Sequence, residues 1–232
     1  PFPTRRCSLH PSALPTNVHE MSAAKRVLDP VAREAKRLGF VARSALKLLE
    51  LDEKFSLFRS LRPTGPRVLD LGCAPGAWIQ AVHKRAPRST HVVGVDLTEV
   101  DVSGLPYVDQ SRVVTLVEDA RNFHEFAGDL NVQTRPFDLI LSDMMASTSG
   151  IASLDATRSL ELAECAVDVA LGGSVALRPN GNLVVKILEG GGSVEELAKV
   201  TKPHFEKVSW FKPKATRTES KEIYLVARGR KP

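Results

Sequence analysis

Four ionisable residues beside apolar runs are the first candidates for chemistry in this sequence. Lys47 lies in a helical stretch, and Asp143 follows the run FDLILS. Lys186 lies within NLVVKIL, and Glu222 lies at the start of KEIYLVA. Two lysines and two carboxylates can together position a substrate, move a proton and stabilise a developing charge. In an open α/β sheet such groups gather outside the carboxyl ends of the strands, so the set predicts an enzyme.

Each of the four residues also has a simpler interpretation. A lysine such as Lys47 is most often a solvated helix residue. Asp143 could cap the turn after its strand, and Glu222, on what we take as an edge strand, could simply be solvated. Lys186 is different because a buried, unpaired ammonium loses much solvation energy. It must therefore reach the end of its strand, lose its proton or pair with a carboxylate.

The glycine-rich segment VLDLGCAPGAW, residues 68–78, predicts a ligand-binding loop. A buried strand ends at Gly72 and a helix begins near Gly76, where free backbone N–H groups can face a ligand. The segment lacks the Gly-x-Gly-x-x-Gly spacing that seats a pyrophosphate, and Pro75 stands between its two glycines. A nucleotide-type ligand without a pyrophosphate is therefore favoured.

Two aspartates follow the next two predicted strands. Asp96 ends the second strand, where a carboxylate can accept the hydroxyls of an adenosine ribose, and Asp119 follows the third, where an adenine could be read. Either alone is more simply an N-cap or turn residue. Together, after the glycine loop, they favour S-adenosylmethionine. With that methyl donor the four residues suit transfer to a ribose hydroxyl, Lys186 acting either as a neutral base or as a cation that stabilises the forming alkoxide.

The order of apolar runs predicts an α/β fold with a seven-stranded, mostly parallel sheet. A helical stretch over 30–58 comes first, and later helices are predicted over 77–85, 154–171 and 194–200. The predicted strands are 67–71, 91–97, 112–117, 137–142, 182–188, 205–211 and 221–227. Helices separate the first five strands, as in buried parallel sheets, whereas none separates the last two, which predicts an antiparallel edge pair. This matches the class I methyltransferase fold, which is Rossmann-like, with one internal linker at 172–180.

Basic residues are concentrated towards the two ends of the chain, although the net charge is only +5. Residues 22–47 hold seven Lys/Arg against two acids, whereas residues 95–170 hold fourteen Asp/Glu against four arginines. If the ends meet on one face, that face can bind a phosphate backbone; solvated charged helices are the simpler alternative. The residues predicted to bind RNA are Lys25, Arg26, Arg33, Lys36, Arg37, Arg43, Lys212, Lys214 and Arg217.

The size and composition predict one globular domain over residues 30–232. The chain has 232 residues with 43% hydrophobic content, enough for one core. Three cysteines without a Cys-x-x-Cys pair predict neither a metal site nor a disulfide framework. No apolar stretch approaches the roughly 20 residues of a membrane-spanning helix, so we expect a soluble protein, with a monomer favoured.

Residues 1–29 are expected to form a flexible extension. Their acid-poor start resembles the end of an organelle transit peptide, a disordered arm being the alternative.

Five ordered motifs resemble the FtsJ/RrmJ family of ribose 2'-O-methyltransferases. They are RSALKL at 43–48, DLGCAPGAW at 70–78, SDM at 142–144, NLVVK at 182–186 and SKEIY at 220–224. The resemblance runs from about residue 34 to 231 and implies the catalytic set Lys47, Asp143, Lys186 and Glu222. The cofactor site predicted for S-adenosylmethionine comprises Gly72, Ala74, Pro75, Gly76, Trp78, Asp96, Asp119 and Asp143.

Within that family the chain is most similar to the organellar, bacterial-type rRNA branch, especially plant proteins with segments like EAKRLGFVARSALKLLEL and PKATRTESKEIY. The resemblance implies large-subunit ribosomal RNA or a pre-ribosomal particle as substrate, a uridine as target, and a mitochondrion or chloroplast as location. One departure concerns residues 143–147. Bacterial members usually have Asp-Met-Ala-Pro-Asn there, and this chain has Asp-Met-Met-Ala-Ser. The loop helps to shape the substrate site in the family, so the departure bears on the target nucleotide rather than on the chemistry.

Three other functions remain open from the sequence. The first is an inactive RNA-binding assembly factor that keeps the fold, against which the presence of all four catalytic residue types argues. The second is a tRNA ribose methyltransferase, because tRNA and mRNA-cap members share the same four residues. The third is a nicotinamide-dependent oxidoreductase, which the glycine spacing and the absence of a Tyr-x-x-x-Lys pair disfavour.

Overall fold

The computed structural model describes residues 29–232, and its sheet confirms the predicted α/β architecture. Seven strands lie in the order β3-β2-β1-β4-β5-β7-β6. The strands are β1 (Arg67–Leu71), β2 (His91–Asp96), β3 (Val113–Val117), β4 (Phe137–Ser142), β5 (Leu177–Leu188), β6 (Phe205–Phe211) and β7 (Glu222–Arg230). The predicted extension, apart from Asp29, and the candidate RNA-binding residues Lys25 and Arg26 lie outside the described residues.

The first five strands pair in parallel, and β7 pairs antiparallel with both β5 and β6. The predicted antiparallel pair is therefore present, but β7 lies between β5 and β6 and only β6 is at the edge. The prediction that Glu222 sits on an edge strand is wrong for this reason. With a strand on each side of β7, Glu222 is buried, 7% exposed.

Helices cover both faces of the sheet. They are α1 (Pro30–Arg37), α2 (Ser44–Phe55), α3 (Ala77–Arg85), α4 (Phe123–Phe126), α5 (Ala152–Leu171) and α6 (Ser193–Thr201). Short 3-10 turns at Gln110–Arg112, Ala120–Asn122 and Lys202–His204 complete the connections.

The helical stretch predicted over 30–58 is wrong because it breaks into α1 and α2. Gly39 adopts a left-handed φ of 80°. The N–H of Phe40 donates to the carbonyl of Ala35 at 2.9 Å, which closes the last turn of α1. Glycine reaches this conformation without the steric cost that a side chain would add. The break lets α2 start in a new direction, with Lys47 in its first turns.

The linker predicted at 172–180 is shorter than expected, because β5 already begins at Leu177. Leu177 pairs with Phe137, and the register shifts between Phe137 and Leu139. An irregularity of this kind lets a strand accommodate residues such as Pro179 and Gly181, which read as loop signals in the sequence.

Two apolar clusters lie on opposite faces of the sheet. On β1, Leu69 and Leu71 belong to the cluster that includes α5 residues, whereas Val68 belongs to the cluster that includes α2 and α3 residues. This alternation follows from the two-residue period of a strand. It also places Asp70 on the α2–α3 face, with its side chain fully buried.

At the amino ends of the strands a buried ion cluster surrounds Asp138. Its carboxylate accepts hydrogen bonds from Arg62 (2.7 and 2.9 Å), from Arg178 (2.6 Å) and from the backbone N–H of Arg67 (2.8 Å). Burial raises the pKa of Asp138, but these hydrogen bonds more than offset it, so the pKa is lowered overall. The cluster ties β1, β4 and β5 together at the end of the sheet opposite the carboxyl ends.

Candidate active site

The carboxyl ends of β1, β4 and β5 bring the candidate catalytic residues together, as expected for an open α/β sheet. Asp143 directly follows β4, whose last residue, Ser142, pairs with Val185 of β5. The neighbouring residue on β5, Lys186, donates to the backbone carbonyl of Asp143 at 2.5 Å, and its Nζ lies 2.9 Å from the carboxylate Oδ1 of the same residue. The Asp143 carboxylate compensates the charge of the buried Lys186 ammonium. Pairing with a carboxylate was one of the three outcomes expected for a lysine within this apolar run.

A second ion pair joins helix α2 to strand β7. Lys47 Nζ lies 2.6 Å from Glu222 Oε1, and both side chains are largely buried. In the β5–β7 register Leu188 faces Glu222 and Lys186 faces Tyr224. Glu222 and Tyr224, two residues apart on one strand, therefore point to the same face. Buried ion pairs of this kind are stable when further hydrogen bonds satisfy their charges.

Tyr224 supplies those hydrogen bonds and links the two ion pairs. Its hydroxyl lies 2.9 Å from Asp143 Oδ1 and 2.7 Å from Glu222 Oε1. Burial raises the pKa of Tyr224 well above its usual value, and the charges of Asp143 and Glu222 raise it further. The phenol therefore stays protonated and can donate. Sequence reasoning did not propose Tyr224 as a site residue, although its two-residue spacing from Glu222 was a usable signal.

Asp70 is a fifth ionisable side chain beneath the site. It is fully buried, and within residues 29–232 neither carboxylate oxygen has a hydrogen-bond partner. Burial raises its pKa well above 3.8, and the nearby charges of Asp143 and Asp96 add to the effect. Its position therefore favours the protonated, neutral form of the Asp70 carboxyl over the charged form.

A cavity of about 300 Å³ lies at the carboxyl ends of β1, β2 and β4. It is lined by Gly72, Val95, Asp96, Leu97, Glu118, Asp119, Ala120, Arg121, Met144, Met145, Ala146 and Leu162. Its size lies at the lower end of the range for small-molecule sites, and its walls combine apolar side chains with two separated aspartates. This combination suits a nucleoside, whose base is flat and whose ribose offers hydroxyl donors.

The two aspartates of this cavity also have local structural roles. Asp96 accepts hydrogen bonds from the N–H groups of Ala74 (2.9 Å) and Thr98 (2.8 Å). Asp119 caps the 3-10 turn that follows it and binds Arg121. Hydrogen bonds from Arg121 lower the pKa of Asp119, so its carboxylate stays charged. A carboxylate has about four acceptor positions, and Asp96 uses two of them, so it can accept ligand hydroxyls as well. Both oxygens of Asp119 are already contacted by N–H groups of Arg121.

Gly72 makes the close approach that this site needs. Its φ is 78°, and a Cβ added there would lie 2.8 Å from the backbone of Met144. The loop after β1 and the loop after β4 therefore touch at Gly72, at the rim of the cavity. Only glycine allows both that contact and that conformation. The residues present thus fit S-adenosylmethionine in shape and in donor and acceptor pattern.

Of the other predicted cofactor residues, three line a neighbouring cavity and two line neither cavity. Ala74, Trp78 and Asp143 line a small neighbouring cavity together with Gly72. Pro75 and Gly76 line neither of these two cavities. Gly76 has a φ of 99°, and a Cβ there would lie 2.9 Å from Leu105 Cδ1, so packing against Leu105 accounts for this glycine. Trp78 is buried, and its ring N–H donates to the carbonyl of Ser44 at 2.8 Å.

A second cavity, of about 340 Å³, lies beside the Lys47–Glu222 ion pair. It is lined by Arg43, Lys47, Met145, Arg217, Glu219, Ser220 and Glu222. Two of these residues, Lys47 and Glu222, belong to the candidate catalytic set. Asp143 lines the small cavity that shares Gly72 with the cofactor cavity, whereas Lys47 and Glu222 line the second cavity. The linked ion pairs therefore border both of these cavities, as a donor and an acceptor of a transferred group would require.

The basic ends of the chain meet at this second cavity. Arg43 pairs with Asp29 and donates to the carbonyl of Ala215, while Arg217 lies 3.7 Å from the same Asp29. Glu50 of α2 accepts the N–H groups of Lys214 (2.6 Å) and Ala215 (2.8 Å). These contacts fix the β6–β7 loop against α1 and α2. The side chains of Arg33, Lys36, Arg37, Lys212 and Lys214, also predicted to bind RNA, are exposed.

No helix between residues 29 and 232 is both long and apolar enough to cross a membrane. Over the same residues there is no group of three or more His, Cys, Asp or Glu side chains placed to hold a metal ion.

The chain was compared with known families and with curated proteins. A model of the family described as FtsJ-like methyltransferase matches residues 40–230. The ribosomal RNA large subunit methyltransferase E of Syntrophobacter fumaroxidans is 40% identical over 200 residues, which cover 86% of this chain and 94% of that protein. The protein of the same name from Novosphingobium aromaticivorans is 38% identical over 207 residues, covering 89% of this chain and 86% of the relative.

Solved structures give the same result for the fold. A Plasmodium falciparum crystal structure named as a ribosomal RNA methyltransferase superposes with a TM-score of 0.68 and 25% identity, covering 82% of this chain and 98% of that one. Human methyltransferase-like protein 13, in complex with SAH, superposes with a TM-score of 0.54 and 14% identity, covering 78% of this chain and 82% of that one. The second likeness concerns the fold alone.

Proposed function

Because the chain belongs to the FtsJ-like methyltransferase family, we propose that it transfers a methyl group from S-adenosylmethionine to a ribose 2'-hydroxyl of large-subunit ribosomal RNA. The observation that carries the proposal is the joined arrangement of Lys186–Asp143 and Lys47–Glu222, which the Tyr224 hydroxyl links and which borders the second cavity. The names of the bacterial relatives support ribosomal RNA as the substrate class. The basic surface around the second cavity supports a polyanionic substrate.

Lys186 is the residue that we assign to the reacting oxygen. A protonated lysine has three N–H donors, and one of them binds the backbone carbonyl of Asp143, whose carboxylate Oδ1 lies 2.9 Å from Nζ. A donor therefore remains for the ribose oxygen. When bound, S-adenosylmethionine supplies an electrophilic methyl group on a sulfonium. Lys186 either stabilises the oxygen as its negative charge develops or, in its neutral form, accepts the hydroxyl proton.

The remaining three residues hold this lysine and the substrate. Asp143 fixes the direction of the Lys186 ammonium through two contacts. Lys47 and Glu222 lie on the wall of the second cavity, where Glu222 can accept a hydrogen bond from a ribose hydroxyl. In-line displacement needs the oxygen, the methyl carbon and the sulfur in one line, so much of the rate gain comes from such positioning.

The first experiment is a methyl-transfer assay with radiolabelled S-adenosylmethionine. Purified protein is incubated separately with large-subunit rRNA, precursor particles and tRNA, and the labelled ribose is mapped. Lys186→Ala is expected to lower the rate by at least about 100-fold while S-adenosylhomocysteine binds with unchanged affinity. Lys199→Ala, on the exposed face of α6, is the matched control and keeps full activity.

Two outcomes would contradict the proposal. Full turnover in Lys186→Ala would remove that lysine from the mechanism. Label on tRNA alone would exclude ribosomal RNA as substrate. An absence of label on every RNA, with intact cofactor binding, would instead favour an assembly factor that retains the fold.

We also propose a uridine as the target and a mitochondrion or chloroplast as the place of action, in ribosome biogenesis. The similarity of two segments to plant organellar proteins and the acid-poor composition of residues 1–20 support the location. The full chain with a C-terminal fluorescent protein, imaged in plant cells, tests it. Uniform cytosolic fluorescence would contradict the proposed location, and a mapped methyl group on another base would contradict uridine.

A further inference from the structure

Met144 and Met145, adjacent residues after β4, have different surroundings. Met144 is partly buried against the core, and its backbone lies against Gly72. Met145 is 52% exposed, which is unusual for a large apolar side chain on a segment that closes an active site. Packing of the fold therefore explains Met144 but does not explain Met145.

Met145 is the only described residue that lines both the cofactor cavity and the second cavity. It is also the only apolar residue among the described walls of the second cavity, whose other members are charged or polar. Its side chain thus borders both the cavity assigned to the methyl donor and the cavity assigned to the acceptor.

A nucleotide needs more from its pocket than charges. The arginines of the second cavity suit phosphates, and the Lys47–Glu222 pair suits ribose hydroxyls, but the faces of a base are apolar and polarisable. A methionine thioether packs favourably on aromatic rings and adapts its shape to them. Enzymes that act on a nucleotide within a chain commonly unstack it, and the exposed base then needs a new surface to contact.

We propose that Met145 is the contact surface for the base of the target nucleotide, holding its ribose beside Lys186. The inference rests on the proposed function of RNA methylation. A smaller residue at this position would leave the base without this contact.

The test compares Met145→Ala with the wild-type protein on an RNA that contains the mapped target nucleotide. Loss of the contact is expected to raise the KM for RNA about tenfold, with kcat within about threefold. Met145→Leu restores most of the affinity because it returns the apolar volume. The affinity for S-adenosylhomocysteine stays within about threefold, because many other residues line that cavity. Ile151→Ala is the matched control: Ile151 is 60% exposed on the same segment and lines neither cavity.

A second substrate separates base contact from general loop effects. The same RNA is made with the target base removed, leaving an abasic ribonucleotide with its 2'-hydroxyl. The KM of the wild-type protein is then expected to rise to that of Met145→Ala, so the difference between the two proteins disappears. A tenfold difference that persists on the abasic RNA would overturn the inference, as would an unchanged KM for Met145→Ala on the intact RNA.

These results distinguish the inference from the function on which it rests. A wild-type protein that methylates RNA, with normal kinetics in Met145→Ala, overturns only the role of Met145. A wild-type protein that labels no RNA overturns both proposals.

Discussion

Tyr224 is the side chain that connects the two ion pairs of the site. A phenol has one proton, so it can donate fully to only one carboxylate at a time, and the shorter contact is to Glu222 at 2.7 Å. Its contact with Asp143 at 2.9 Å ties that carboxylate to the same hydroxyl. Tyr224 therefore positions both carboxylates without reaching the substrate cavity, and we class it as a positioning residue.

Replacing Tyr224 by phenylalanine should loosen both carboxylates. We expect kcat to fall about tenfold, while the affinity for S-adenosylhomocysteine stays within about threefold because the cofactor cavity is untouched. Steady-state kinetics and calorimetry measure the two quantities. Tyr107→Phe is the control, since the Tyr107 hydroxyl donates to the Leu38 carbonyl, away from the site. A wild-type kcat in Tyr224→Phe would show that both carboxylates keep their positions without the Tyr224 hydroxyl.

Two buried aspartates should respond to pH in opposite ways. The raised pKa of Asp70 means that the unfolded state releases this proton first, so Asp70 weakens the fold as the pH rises above about 3.8. Asp70→Asn removes that penalty, so its stability relative to wild type should increase as the pH rises from about 3.8 towards the raised folded-state pKa of Asp70. Each unit of pKa elevation contributes about 1.4 kcal/mol. Denaturant unfolding at several pH values measures the change, and a difference independent of pH would refute it.

Asp138 gives the opposite sign because its pKa is lowered. Its stabilisation is present above about pH 4 and is lost as the pH falls through the folded-state value. Asp138→Asn is expected to cost about 3 kcal/mol at pH 7, because it leaves Arg62 and Arg178 without their shared carboxylate. Denaturant unfolding at several pH values also measures this change. The loss of folding stability in Asp138→Asn should become smaller at low pH, whereas a loss that is independent of pH would indicate lost packing instead.

At the level of secondary structure, the contact between the loops after β1 and β4 determines the shape of the cofactor cavity. Gly72→Ala would place a Cβ 2.8 Å from the Met144 backbone in a left-handed conformation. We expect a loss of about 1–3 kcal/mol from backbone strain alone and at least a tenfold loss of S-adenosylhomocysteine affinity. Thermal unfolding and calorimetry measure both effects.

Gly128→Ala is the matched control for this change. A Cβ at Gly128 meets nothing within 4 Å, and its φ is not left-handed. It should leave the unfolding midpoint and the cofactor affinity as they are. Equal affinities for the Gly72 and Gly128 variants would mean that the two loops can separate without harm to the site.

Short apolar runs predicted most of the strands, and β1, β4 and β6 have their predicted bounds. The helical stretch over 30–58 failed at Gly39, because a glycine inside a helical pattern does not by itself indicate a break. The start of β5 failed because Pro179 and Gly181 are loop signals that the sheet tolerates beside an irregularity. Whether such residues end a strand or lie within it depends on how the strand pairs with its neighbours in the folded sheet.

The site was predictable in part for the same reason. Lys186 stood out as a lysine in an apolar run, and its need for a carboxylate is met by Asp143. The partner of Lys47 could not be predicted, because Glu222 is 175 residues away and its burial depends on β7 lying inside the sheet. Met145 could not be found either, since its importance comes from two cavities that only the folded chain creates.

For the whole molecule, the charge pattern of the chain leads to a prediction about salt. The affinity for RNA should fall linearly with the logarithm of salt concentration, and Arg217→Ala should reduce that slope by about one while weakening binding to all sequences alike. Filter binding at several salt concentrations measures the slope. Arg88→Ala, exposed near the amino end of β2, is the control. An unchanged slope for Arg217→Ala would place the RNA elsewhere on the surface.

The position of Asp29 has a practical consequence for where the chain can be cut. Its side chain accepts the N–H groups of Val31 and Ala32 at the start of α1, and it also lies against Arg43 and Arg217. A domain boundary drawn at residue 30 from the apolar pattern would therefore remove a counter-charge from two arginines that we propose bind RNA. A shortened protein for crystallisation or for screening should begin before Asp29. A version that begins at Pro30 would keep the sheet and the cofactor cavity, yet it would lose the carboxylate that holds those two arginines in place.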